Sequence, residues 1–119
     1  MTNRGGGAQP DMGIAYAWER MSTALDLLAT APESLPERLE HPVPHLVDAL
    51  RDAEQSRYLP TPVLESLRRV TRLLGASTER SPDPAVTATV VKAMTRVQSE
   101  ELAQEIVGIA HEIWRLSTL

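Results

Sequence analysis

The closing stretch, Glu100 to Leu119, constrains the fold more than any other part of the chain. It reads EELAQEIVGIAHEIWRLSTL. Leu102, Ile106, Ile109, Ile113 and Leu116 recur at spacings of 4, 3, 4 and 3, which is one face of an α-helix. A second stripe of Ala103, Val107, Ala110 and Trp114 runs beside the first. Together they cover roughly half the circumference, more than the ~100° an ordinary surface helix buries. A helix with so broad an apolar face packs against two neighbours, or against one neighbour and a partner chain.

The preceding residues supply helical neighbours. Asp11 to Ala31 reads as a first helix capped by Asp11. Its stripe is Ile14, Trp18, Met21, Leu25 and Leu28, flanked by Ala17 and Ala24, which places Trp18 in the core. Residues 30–44 contain four prolines and form a corner. Within it, Ser34 and Glu37 have capping-box spacing for a short helix to about Glu40, with Leu35 and Leu39 plugging it onto the core. A third helix starts near Pro44 and runs to about Arg57, burying Leu46, Val47, Leu50 and Ala53. In the fourth, Thr61 is the expected N-cap and Pro62 the first helical residue. Its stripe is Val63, Leu67, Val70 and Leu74, with Leu64, Thr71 and Leu73 at the margins, and Gly75 follows where a left-handed residue is expected.

A polar loop over 76–84 leads to AVTATVVKAMTRVQ, capped by Ser81 or Asp83. Its β-branched residues suit a strand, but no partner strand exists in the chain to satisfy a lone strand's backbone. Helix is the better reading, with Val86, Val90, Ala93, Met94 and Val97 on one side. This stripe and the closing one differ in phase by roughly a third of a turn at ~100° per residue. The chain therefore either breaks or bends near Gln98–Glu101, with Ser99 as a fresh cap. The expected fold class is all-α, a compact bundle of five to six helices with Pro-rich connections. Residues 1–10 read as a disordered tail and 11–119 as a single domain.

Composition narrows function mainly by exclusion. There is no cysteine, hence no disulfide, thiolate metal site or cysteine nucleophile. No apolar run approaches the ~18 residues of a membrane span, and the N-terminus lacks the apolar stretch of a secretory signal. A cytoplasmic protein is the default. The net charge is −4, whereas duplex-binding domains are usually basic, which weighs against nucleic acid. Eleven Arg against one Lys, with 14 Ala, suggests a GC-rich bacterial source.

Motifs for chemistry are sparse. His41 and His45 have the i, i+4 spacing of a helical metal pair, but Pro42 and Pro44 interrupt the helix that would aim both rings at one ion. His111 beside Glu112 diverges from it. The acid pairs Glu100–Glu101, Asp52–Glu54 and Glu33–Glu37 lie in no evident apolar pocket. No nucleophile elbow or metalloprotease motif occurs. The expectation is no enzyme, no metal and no cofactor. Arg68, Arg69 and Arg72, with Arg80 beyond, form the one basic cluster, expected opposite the apolar stripe of the fourth helix. The expected function is a non-enzymatic protein-interaction module, an adaptor, accessory or inhibitory protein binding a protein partner or itself. Its contact residues would be Ala103, Val107, Ala110 and Trp114, tuned by the Arg68/Arg69/Arg72 face. Alternatives are a helix-turn-helix-like transcription regulator reading DNA through the fourth helix, and a helical bundle that binds or transforms a small ligand.

Overall fold

A computed structural model describes residues 9–30 and 34–118, with side chains from residue 13 onward. The described residues form six helices and no strand: α1 Gln9–Thr30, α2 Leu35–Arg38, α3 Val43–Ser56, α4 Thr61–Leu73, α5 Pro84–Lys92 and α6 Arg96–Ser117. α1 lies beside α3 and α6, and α4 lies beside the same two helices. The four long helices thus form a ring around one aliphatic core. The short α2 leans on α1 and α6, and α5 packs on α2. The chain is an all-α bundle, as its periodicity predicts.

The core is centred one position away from the expected stripe in α1. Ala17, Met21, Ala24 and Leu28 are buried, while Trp18 and Leu25 are only partly covered. Ala17 and Ala24 are fully buried, so the packed face of α1 runs through small side chains. In α3 the expected residues Leu46, Val47, Leu50 and Ala53 are buried, and so are Val43 and Ala49. In α4 Val63, Leu67, Val70 and Leu74 are buried, and Thr71 joins them. The Thr71 hydroxyl donates to the Leu67 carbonyl at 2.8 Å, which satisfies it inside the core. Leu39 is fully buried and Leu35 packs against the core, as expected for the corner.

Several helix ends differ from expectation. α1 already begins at Gln9, so Asp11 lies within it and does not precede it; the rest of the expected tail, residues 1–8, lies outside the described residues. At α2, Ser34 is the N-cap but forms no capping box; its hydroxyl donates to the Glu37 carboxylate at 2.7 Å. In α4 the N-cap is Pro60, and Thr61 is the first helical residue. Gly75, at φ 79°, closes α4 with Gly75 N–H on Arg72 O (2.9 Å) and Ala76 N–H on Thr71 O (3.1 Å), a Schellman arrangement. Asp83 caps α5, accepting from Ala85 N–H at 2.9 Å.

The largest correction concerns the α5–α6 junction. The break falls at 93–95, not at Gln98–Glu101. Thr95 caps α6 in a full capping box: its hydroxyl accepts from Gln98 N–H (3.1 Å), and the Gln98 side chain accepts from Thr95 N–H (2.9 Å). Ser99 is a buried residue of the first turn whose hydroxyl donates to the Thr95 and Arg96 carbonyls. With the chain broken there, Val86 and Val97 do not share a face. Both are exposed, Val97 by 62 %, and α5 buries Thr87 and Val91 instead.

Candidate functional site

The broad apolar face of α6 divides in two. Leu102, Ile106, Ile109 and Ile113 point into the ring and are buried. Of the second stripe, Ala110 is also fully buried and Ala103 packs against the core. Ala110 is therefore closed to a partner, whereas Ala103 stays half-buried beside the core. Val107 and Trp114 remain outside, 50 % and 46 % exposed.

Val107 and Trp114 are two helical turns apart on α6, and Trp18 and Leu25 are two turns apart on α1. With His111, these residues line one groove of about 250 Å³ between the two helices. The His111 ring stacks on Trp114 at 6.2 Å between centroids and 27° between planes. Both tryptophans of the chain thus border the same groove. Trp18, Leu25 and His111 are absent from the residues expected here. The available signal was spacing: Leu25 is i+7 from Trp18, and His111 is i+4 from Val107, on the same helix face.

The arginine cluster has a different character. Arg68 donates to Glu54 through Nε (3.0 Å) and Nη2 (2.9 Å), and to Glu65 through Nη1 (2.9 Å). The Glu54 hydrogen bond raises the guanidinium pKa, against a smaller desolvation effect. Arg69 pairs with Glu105 of α6. Arg72 is exposed. Two of the three guanidiniums are therefore used to tie α4 to α3 and α6, which lowers the positive potential of this face. Arg69 and Glu105 also border a groove of about 380 Å³ with Leu73, Val90, Met94 and Leu102.

The titratable groups elsewhere serve packing. Asp52 accepts from the Tyr58 hydroxyl at 2.8 Å, and Tyr58 leans over Gly13, where a Cβ would lie 2.7 Å from the ring. Burial raises the Tyr58 pKa, and the Asp52 hydrogen bond raises it further. Glu54 accepts from Thr78 as well as Arg68. Glu100 pairs with Arg96 at 3.1 Å. The Arg115 hydrogen bond lowers the Glu112 pKa. Glu33 lies outside the described residues. His45 has its Nδ1 buried without a hydrogen-bond partner, and burial followed by the Arg20 charge lowers its pKa. Among the described residues no group of three metal-ligating side chains converges. No described helix is long and apolar enough to cross a membrane.

No family model, curated protein or solved structure matches the chain significantly. The α1/α6 groove must therefore be interpreted from its own chemistry.

Proposed function

We propose that the chain is a non-enzymatic protein-interaction module whose α1/α6 groove receives an amphipathic helix of another protein. The observation that carries this reading is that Trp18, Leu25, Val107 and Trp114 line one groove, with His111 among them, outside a core that closes without Val107 and Trp114. Two adjacent helices present a furrow that a third helix fills by the same ridge-into-groove packing that built the bundle. Trp is enriched among residues that dominate binding energy, and Trp114 stands at one end of the strip. Few apolar side chains line the groove, whereas a stable symmetric dimer needs ~800 Å² from each partner. This favours a single docked helix over a second copy of the chain. The engagement of Arg68 and Arg69 by carboxylates weighs against the DNA-reading alternative.

A photo-crosslinking residue at position 107, compared with one at exposed Glu79, tests the reading in cells. A protein captured at 107 and not at 79 should, once purified, shift the tryptophan emission to the blue. It should bind Trp114→Ser at least tenfold more weakly. Equal capture at both positions, or equal affinity for both chains, would refute the proposal. Crosslinking of the chain to itself at 107 would replace the partner with a second copy.

A further inference from the structure

We infer that α5 is a hinged cover that opens as a unit while the four-helix ring stays folded. Three features of the chain converge on this helix.

The sequence of α5, PAVTATVVK, holds Val86, Thr87, Thr89, Val90 and Val91. These β-branched residues lose rotamer freedom in a helix, and a helix of this length is marginal alone. Its persistence therefore depends on tertiary contact, yet only Thr87 and Val91 are buried. The element it packs on, α2, is itself a single turn.

The cover of α5 is also partial. Three open clefts border it. Val90 faces the groove of about 380 Å³ shared with Leu73 and Met94. Pro84 and Thr87 face one of about 170 Å³ beside Val43 and Pro44. Val86 faces one of about 190 Å³ beside Gly75 and Arg80. These clefts open to solvent, so α5 is covered on only part of its surface, where Thr87 and Val91 are buried and Val86 and Val90 pack against Gly75.

Both ends are built as joints. On one side, Gly75 holds a left-handed turn, followed by a non-helical stretch to Asp83. On the other, the chain leaves the helix at Ala93, and the Thr95–Gln98 capping box starts α6 afresh. That box satisfies the Thr95 and Gln98 amides within α6 itself, so the start of α6 is capped without help from α5. Opening would uncover Val91 and the α2 surface beneath it, and would widen the groove lined by Leu73, Met94 and Leu102.

This inference is independent of the α1/α6 groove, which lies on other residues. Native-state amide hydrogen exchange on the full chain, across sub-denaturing urea, tests it. The amides of Thr87 to Lys92 should be protected at least roughly 100-fold less than the slowest amides of Ile106–Ile113, with a shallower urea dependence. Asp83→Ala should speed exchange in α5 by roughly fivefold, as loss of an N-cap implies, and leave α6 unchanged. A common opening constant and urea slope for α5 and α6 would overturn the inference. So would loss of protection in the first turn of α6 together with α5, or an equal effect of Asp83→Ala on both helices.

Discussion

At the scale of single residues, two positions carry measurable tension. His45 of α3 is pressed toward its neutral form by burial and by Arg20 from α1, with Asp48 on its own helix opposing weakly. Its pKa in the folded chain therefore lies below its ordinary 6.5. Between those two values the unfolded chain holds a proton that the folded one lacks. Stability should fall as pH drops through 6.5 and level off below the folded pKa. His45→Gln should flatten the dependence of the urea midpoint on pH as pH falls through 6.5; an unchanged slope would assign it to other groups. Arg57 ends α3 at φ 56°, a left-handed geometry that side chains with a Cβ disfavour. Arg57→Gly removes that strain against the extra backbone entropy of glycine, and should raise stability by about 0.5–1 kcal/mol in chemical denaturation. Neither effect was legible in the sequence. An Arg–Tyr–Leu–Pro run predicts that a helix stops, but not which residue adopts the reversed φ. A histidine after prolines says nothing of the cation one helix away. Trp18 shows the same limit. Periodicity gives the phase of α1 to within one position, and the small side chains of Ala17 and Ala24 decide the rest.

At the scale of elements, caps did more than periodicity to set boundaries. The order and number of helices follow from the apolar stripes, and the ends at Gly75 and Asp83 follow from residue type. The apolar phase slip points to a break at Ser99, a Ser before two acids, and that position is wrong for the α5–α6 junction. Thr95 and Gln98 carry the capping-box spacing four residues earlier, and the structure uses it. Once α6 starts at Arg96, Ser99 falls on the buried side and Val97 on the outside. Thr95→Ala should cost about 1 kcal/mol and expose the first-turn amides of α6. Thr95→Ser, which keeps the hydroxyl, should restore most of that loss. An equal loss in both variants would mean that the methyl group, not the cap, matters at this position.

At the scale of the whole molecule, the four-helix ring buries its aliphatic core and leaves an apolar strip along α1 and α6 outside it, besides scattered exposed side chains such as Leu73 and Val97. The ring is visible in the sequence as four stripes. The strip is visible only as an excess of apolar width on α6, since which half of that width faces α1, α4 or the outside depends on the geometry of the ring. The structure assigns Ala110 to the core and leaves Val107 and Trp114 exposed. Trp114 is proposed to belong to a contact surface and not to be a structural keystone. Urea unfolding of Trp114→Ala, followed by far-ultraviolet circular dichroism, tests this most directly. Helicity in the absence of urea should be unchanged, with a loss of about 1–2 kcal/mol, the cost of removing a half-exposed side chain. Loss of the helical signal, or a cost of about 4 kcal/mol or more, as for a truncated core tryptophan, would contradict it.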